Sequence, residues 1–395
     1  MEETRNGKTP LKNKKNKQEE LINKRRRKAV IIIMVEVILC LILGIGAYGV
    51  NILASYQQED LNPDVYVETV DYNRPSEVVR TIEVTDDAGN KTYETVVLPT
   101  ELNSKGYRNI LVLGVDKEEE NSDVMIIVSI NNTTHDIKMV SILRDTLLKL
   151  EEGTSKYGYN KANSQYYSSI SDTVSMINRN LGLDITEYAV VNWYGVATCI
   201  NQLGGIEMTI PNEFVLSEFN GYLTDVNETT GIWAPQLSAP GTYTMSGTQV
   251  VAFCRIRHYY AWADFGRTAN QREAIQKIFD KVKQKIAAGE INTILNVVQT
   301  GLGNVKTNLR LPDIMFLAMN ATKYKMADSQ QFPQKLASDV SLADEKYHIS
   351  DCLMANDFAQ EVKDLHAFLF DDDYYEPSTF VKNISYEMWK ARTGN

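Results

Sequence analysis

Cysteine and histidine are scarce in this sequence, with four of each among 395 residues. Cys40 falls inside an apolar run, which leaves Cys199, Cys254 and Cys352, an odd number at wide spacing. That pattern is neither a disulfide framework nor a zinc site, and buried free thiols are expected, with a single Cys199–Cys254 bridge as the alternative. Of the histidines at 135, 258, 348 and 366, only His258 lies near the residues singled out below. There is no GxSxG elbow, no HExxH pair, no Walker loop and no GxGxxG turn, which excludes the common motif-bearing hydrolase, zinc-protease and nucleotide-binding classes. Internal repeats are absent, and the basic N-terminus is the one compositionally biased tract.

Long hydrophobic runs are also few, and one of them stands out. Ala29–Val50, AVIIIMVEVILCLILGIGAYGV, carries a single charge, Glu36. As a helix its 22 residues span roughly 33 Å, enough to cross a bilayer core. It is longer than the apolar part of a cleaved signal peptide, so an uncleaved transmembrane helix is expected. Eleven Lys/Arg against four Asp/Glu precede it, ending in Lys24-Arg25-Arg26-Arg27-Lys28. This places the N-terminus in the cytoplasm and residues 51–395 outside the cell membrane. The whole-chain net charge of −10 therefore hides a tail of +7 and a remainder of −17. An outer part so acidic is a poor nucleic-acid binder, and a cluster of arginines within it is conspicuous.

The chain divides into a basic tail (1–28), the span (29–50), a stem or accessory region (51–105) and a folded domain (106–395). The stem contains a hairpin signal, RTIEVTDDAGNKTYETVVL, turning at Asp87–Asn90. The domain opens on three apolar runs, NILVLGV, VMIIVSI and IKMVSIL, expected to be strands covered on both faces. Helical spacing follows through Gly182, then a strand TEYAVVNW, a helix GVATCINQLGG and a strand IEMTIP. Residues 212–240 are polar and punctuated by Gly and Pro, and read as a loop over one face. Val250–Arg257, VVAFCRIR, reads as a strand ending in two arginines. Amphipathic helices are expected at Gln271–Ala288 and Ile291–Gly303. The fold class is α/β (α+β), a central mixed sheet flanked by helices and preceded by one N-terminal transmembrane helix.

Charged residues gather at strand ends. Asp116 and Asp123 flank the loop between the first two apolar strands, and Arg144 follows the third. Arg255 and Arg257 are two apart, so on an extended chain they share a face; Arg267 and Gln271 are four apart and share a helix face near its start. Arginine is a permanently charged planar fork suited to phosphate oxygens, and a helix N-terminus also favours anions. Carboxylates beside several arginines suit a divalent cation and arginines together neutralising a pyrophosphate. Each residue has a plainer reading as well. Arginines form surface ion pairs, an Asp after a strand serves as a turn or cap residue, Lys161 is a solvated lysine, and Asp264 is a helix cap or arginine partner. Paired-carboxylate glycoside hydrolysis has no use for a crowd of arginines.

The order NILVLGVD, SDVMIIVSIN, VSILRDT, NKAN, YAVVNWYGVATCINQLGGIEMTIP and RIRHYY–DFGRTANQR resembles the LytR–CpsA–Psr family, from about Arg108 to the helix after Arg272. The closing LHAFLFDDDYYEPSTFVKNIS is similar to the tails of its clostridial-type members. The resemblance implies a membrane-anchored phosphotransferase that moves a glycan phosphate from a polyprenyl-pyrophosphate carrier to a peptidoglycan hydroxyl. It implies Mg2+ or Mn2+ on Asp116 and Asp123, and pyrophosphate contacts from Arg144, Arg255, Arg257 and Arg267, with Lys161 and Gln271 as further phosphate contacts. Asp116, Arg144, Arg255 and Arg257 are the expected catalytic residues, with Asp116 as the proton acceptor. Two positions depart from the family pattern: Asn121 stands where Arg is common, behind an acidic Glu118-Glu119-Glu120, and Asn270 stands where many members have Arg. The polyprenyl tail needs an apolar groove, expected between the sheet and the helices at 275–303, although such a stripe is more often ordinary core. The alternatives are a non-catalytic polyprenyl-phosphate-binding regulator and a pyrophosphatase that hydrolyses the carrier.

Overall fold

The structure, a computed structural model, describes residues 57–68, 77–85, 91–99, 106–115, 122–151, 158–257, 263–337, 349 and 351–393. The apolar run 29–50, the hairpin turn at 87–90, Asp116, Asn121 and His258 lie outside the described residues. Among the described residues no helix is long and apolar enough to cross a membrane.

The three apolar runs become the centre of a seven-stranded mixed sheet. Its strands are β1 (Gln57–Gln58), β4 (Tyr107–Val115), β5 (Ser122–Asn131), β6 (Asp136–Ile142), β9 (Glu187–Asn192), β12 (Val305–Thr307) and β13 (Lys325–Phe332), in the order β1-β12-β9-β4-β5-β6-β13. Two further strands, β2 (Glu77–Thr85) and β3 (Lys91–Pro99), pair with each other as the expected antiparallel hairpin. The short strands β7 (Leu147–Lys149) and β8 (Tyr159–Lys161) form another small pair, and β10 (Ile206–Ile210) with β11 (Gly241–Met245) a third.

Nine α-helices are described: α1 (Ile170–Leu181), α2 (Trp193–Gln202), α3 (Glu213–Thr230), α4 (Gly247–Phe253), α5 (Ala263–Ala287), α6 (Ile291–Leu302), α7 (Leu311–Met319), α8 (Phe358–Phe370) and α9 (Thr379–Thr393). Alternation along the strands sends residues to two different cores, which is why the runs are apolar throughout. Leu111, Leu113, Met125, Ile127, Val140 and Ile142 join α1, α8 and α9 in the largest core. Ile110, Ile130 and Ile137, on the other face, meet Phe279 of α5 and Ile314 and Leu317 of α7. A separate core gathers α2, α3, α4, β10 and β11 around Phe219, Leu223, Met245 and Val250.

Two expectations are corrected. The stretch 212–240, read as a loop, contains the 18-residue helix α3. Its Val215, Phe219, Leu223 and Val226 recur at helical spacing and are buried, so packing overrides the polar residues between them. Asn212 caps it by accepting from Val215 N, and Gly231 ends it at φ 67. The stretch 250–257, read as a strand, is the end of α4 followed by a turn. Ser246 and Gln249 form a reciprocal capping box, which commits the next residues to helix although Val250, Val251 and Phe253 favour strands.

Candidate active site

The antiparallel pairing of β4 with β5, and the parallel pairing of β4 with β9, bring Val115, Ser122 and Asn192 to one end of the sheet. Arg144 follows β6 at that same end. Such an edge, outside the carboxyl ends of strands, is where open α/β sheets bind ligands.

Asp123 is aimed by a local irregularity. Val115 pairs with Ser122, but Gly114 pairs with Val124, so Asp123 is the extra residue of a β-bulge. Consecutive strand residues normally face opposite sides; here Asp123 and Val124 both line one cavity. Gly114 makes room for this, since a Cβ there would lie 2.7 Å from Val124 Cβ.

The cavity holds about 400 Å³. Its floor is apolar sheet and helix: Val112, Val124 and Val191, with Ala274, Ile275 and Ile278 of α5. Its charged rim is Asp123, Arg144, Arg255, Arg257, Arg267 and Gln271. A smaller apolar cavity of about 140 Å³ shares Val191, Val196 and Ile278 with it and continues beside Gly301 and Val305. The stripe on α5 is therefore wall as well as core: Ile275 and Ile278 face the cavity, in the region between sheet and helices where a groove was expected.

Each arginine has a distinct setting. Arg144 is hydrogen-bonded to Asp123, and its Nε lies 3.4 Å from Asp145. Burial works against the charge of Arg144, but Asp123 and Asp145 outweigh it and raise the pKa above the ordinary value. Arg255 pairs with Asp225 of α3 and lies over the rings of Trp193, at 4.2 Å, and Tyr222, at 5.2 Å. Arg257 Nε is 4.0 Å from Asp264 Oδ1. Arg267 is the most deeply placed, 3% exposed, with Nη2 3.1 Å from Asp264. Its pKa is pushed down to about 10, first by burial, against the pull of Asp264, with Arg257 and Arg144 adding repulsion. Arg267 Nε and Nη2, and Gln271 Oε1, are buried without a hydrogen-bond partner. Nη2 has the Asp264 carboxylate as an ion-pair partner without hydrogen-bond alignment, so Nε is the donor left with no partner, a costly arrangement that an oxygen-bearing ligand would relieve. The Gln271 amide can turn to present its NH2 to the same ligand.

Of the residues expected from sequence, six therefore converge. Lys161 does not line the cavity; its Nζ is 3.2 Å from Asp145, which joins it to Arg144 through a shared carboxylate. Arg255 and Arg257 converge from a turn after α4, not from the face of a strand. Sequence reasoning missed Trp193, Tyr222 and Asp225. Trp193 was within reach, since Asn192 accepts from Gly195 N at 2.8 Å and marks a helix start in the sequence NWYG. Tyr222 and Asp225 were hidden by reading α3 as a loop. Cys199 and Cys254 are both free, and burial pushes their pKa values up, to about 11 and about 12. Among the described residues no group of three His, Cys, Asp or Glu side chains is placed to hold a metal ion.

Fold and cavity together describe an α/β protein whose cavity joins an apolar trough to a rim of four arginines, Gln271 and Asp123. The family model described as LytR_cpsA_psr family matches residues 66–363, and the chain belongs to that family. It is 29% identical over 218 residues to Biofilm regulatory protein A of Streptococcus mutans, covering 51% of this chain and 50% of that protein. It is 27% identical over 211 residues to the polyisoprenyl-teichoic acid–peptidoglycan teichoic acid transferase TagV of Bacillus subtilis, covering 52% of this chain and 50% of TagV. A transferase of the same description, TagU of Enterococcus faecalis, is 27% identical over 242 residues, with 58% and 72% covered. The chain thus spans about half the length of the first two of these relatives. Among solved structures, TagT bound to LI-WTA superposes with a TM-score of 0.52 at 22% identity, over 68% of this chain and 92% of TagT. Protein gbs0355 of Streptococcus agalactiae gives a TM-score of 0.52 at 22% identity, over 70% and 91%. These likenesses establish the fold.

Proposed function

We propose that the chain is a membrane-anchored phosphotransferase that moves a glycan phosphate from a polyprenyl-pyrophosphate carrier to a hydroxyl of peptidoglycan. The observation that carries this reading is the convergence of Arg144, Arg255, Arg257 and Arg267 on an apolar cavity that also holds Asp123. Family membership and the names of the TagV and TagU relatives support it.

In this reading the polyprenyl tail lies along Val112, Val124, Val191, Ile275 and Ile278, and the pyrophosphate sits among the arginines. The acceptor oxygen bonds to the glycan-bearing phosphorus while the bridging P–O bond breaks. Polyprenyl phosphate leaves, and the acceptor proton passes to a carboxylate, Asp116 or Asp123. The arginines are fixed in place before reaction, so they stabilise charge that grows on the phosphoryl oxygens and the leaving phosphate at little reorganisation cost.

The donor set suits Mg2+ or Mn2+ that arrives with the pyrophosphate. Mg2+ keeps one or two protein carboxylates and takes its other ligands from phosphate and water. Asp123 stands on the cavity wall beside the arginines, and Asp116 is the second carboxylate in the sequence. Such an ion would neutralise pyrophosphate charge. The proposal places residues 29–50 in the membrane, the N-terminus in the cytoplasm and the domain outside.

The test is transfer by the full-length chain in detergent, with a polyprenyl-pyrophosphate glycan and peptidoglycan oligomers, with and without chelator. A phosphodiester-linked product is expected, lost with chelator. Arg255→Ala and Asp123→Ala are each expected to lower transfer by about 10²–10³-fold. Wild-type transfer by either variant overturns the site assignment, and hydrolysis without an acceptor points to a pyrophosphatase.

A further inference from the structure

Helix α7, LPDIMFLAM, is apolar apart from Asp313, yet none of its residues is fully buried. Ile314 and Leu317 turn inward and pack with Ile110, Ile130 and Ile137. Pro312, Phe316 and Met319 follow one another at i, i+4 and i+7, so they share the outer face, and all three are exposed. Phe316 is 58% exposed and Met319 45%. A helix on the surface of a soluble domain normally turns polar residues outward; this one is apolar on both sides.

Cations flank that helix. From Val305 to Lys325 the chain carries Lys306, Arg310, Lys323 and Lys325 against the single acid Asp313, which lies 4.0 Å from Arg108. Arg310 and Lys323, both exposed, bracket α7 in the sequence. Lys283 of α5 brings a further ammonium to the same place, its Nζ donating to Tyr324 O at 3.0 Å. This local positive excess stands out because the chain beyond residue 28 sums to −17. The chain also enters the sheet here. The apolar run ends at Val50, and Gln57 of β1 pairs with Lys306 of β12, the strand that leads into α7. The residue steps between Val50 and Gln57 reach at most about 25 Å. That keeps β12, and α7 after it, near any bilayer that holds residues 29–50.

We infer that α7 docks on the outer surface of an anionic lipid bilayer. Pro312, Phe316 and Met319 enter the boundary between headgroups and acyl chains, and Arg310 and Lys323 lie against lipid phosphates. An apolar outer stripe with flanking cations is the make-up of a segment that rests in the interface plane, and the cations select anionic lipid. The other exposed aromatic surface, at Phe214 and Trp233, fits a bilayer less well. Its helix α3 carries Glu213, Glu218, Asp225 and Glu228 and neither Lys nor Arg.

Docking through α7 also sets where the arginines stand. Ile110, Ile130 and Ile137, which α7 covers, lie at the end of the sheet away from Val115 and Ser122. The arginine rim at the Val115 end is thereby kept clear of the headgroup layer, whose phosphates would otherwise compete for it. The inference rests on the membrane anchor of the proposed function and not on its transfer chemistry.

The test reconstitutes the full-length chain into phosphatidylglycerol vesicles whose upper acyl chains carry bromine, a contact quencher of tryptophan. Phe316→Trp adds a reporter on α7. Tyr386→Trp adds a control on α9, also 58% exposed but on the other face of the sheet. The emission added by Phe316→Trp is expected to fall about twofold, as for an interfacial side chain, and that added by Tyr386→Trp to stay unchanged. Replacing Arg310 and Lys323 together by Glu is expected to remove the quenching while the melting temperature in detergent holds. The inference is overturned by no quenching of Phe316→Trp, by equal quenching at both positions, or by quenching that survives the charge reversal. Quenching that disappears as protein density in the vesicle rises also overturns it, because a second copy then covers α7. Carbonate extraction separates this from the anchor. A chain that resists extraction but shows no quenching keeps the anchor and loses the docking face. A chain that carbonate releases, but that is quenched on binding vesicles at low salt, loses the anchor and keeps the docking face.

Discussion

Asp264 Oδ1 lies 3.1 Å from Nη2 of Arg267 and 4.0 Å from Nε of Arg257, so one carboxylate in the first turn of α5 sets two arginines of the rim. It does not satisfy them, since Arg267 still has two buried nitrogens without hydrogen bonds. The cavity stores unmet donor capacity that a phosphate would complete. In the proposed reading, function here is set against stability.

Replacing Arg267 by Met tests that opposition. A buried, incompletely paired charge contributes little to folding, and an apolar side chain of similar length is often neutral or better. Asp264 keeps Arg257 as its partner. The ligand-free variant is expected to melt at or above the wild-type temperature, while the rise in melting temperature on adding geranylgeranyl pyrophosphate disappears. A variant that melts well below wild type, or that keeps the ligand shift, contradicts this.

The pH dependence follows from the same residue. With its pKa held at about 10, Arg267 is fully charged at pH 8 and loses its proton as pH rises through that value. Pyrophosphate affinity measured by calorimetry is expected to fall several-fold between pH 8 and 10.5, and to fall less in Arg267→Met. The stability sign is opposite. Between about 10 and the ordinary arginine value the unfolded chain binds more protons, so this residue makes stability rise with pH there. Below about 10 its destabilisation is present in full.

Asp225→Asn removes the internal anion that holds Arg255. Both groups of the pair are partly exposed, 28% and 55%, so its loss should cost folding no more than about 1 kcal/mol. Arg255 stays over Trp193. With no carboxylate competing for it, inorganic pyrophosphate should bind a few-fold more tightly, read by calorimetry. Weaker binding would mean that Asp225 orients Arg255 for the ligand.

Gly114→Ala addresses the bulge. Its Cβ would lie 2.7 Å from Val124 Cβ, a contact that must be relieved by moving β5. Overpacking of this kind costs about 1–3 kcal/mol. Because Asp123 is the extra residue beside Val124, transfer activity should drop more than stability does, by comparison of initial rates with urea midpoints. A fall in stability alone would separate Asp123 from the reaction.

Much of this was legible in the chain. The apolar runs 109–115, 124–130 and 137–143 specify strands buried on both faces, because nothing else hides so many consecutive branched side chains. Arg267 and Gln271 share a helix face by spacing alone. The helix α3 was misread as a loop, although Val215, Phe219, Leu223 and Val226 keep a helical period among its polar residues. The strand expected at 250–257 failed for a local reason: the capping box of Ser246 and Gln249 outweighs the β preference of the valines.

The sequence by itself determined the inventory: an acidic region after residue 50 with a handful of arginines, the aspartates near strand ends, and the periodicities of the main elements. Those depend on side-chain type and near-neighbour spacing. Only the tertiary structure decided which residues meet. Asp225 reaches Arg255 across 30 residues, and Arg144 reaches Asp123 across 21, because α3 packs against α4 and β6 lies beside β5. The burial that pushes the Arg267 pKa down, and the bulge that turns Asp123 into the cavity, come from packing among distant segments. Spacing along a chain carries no record of that.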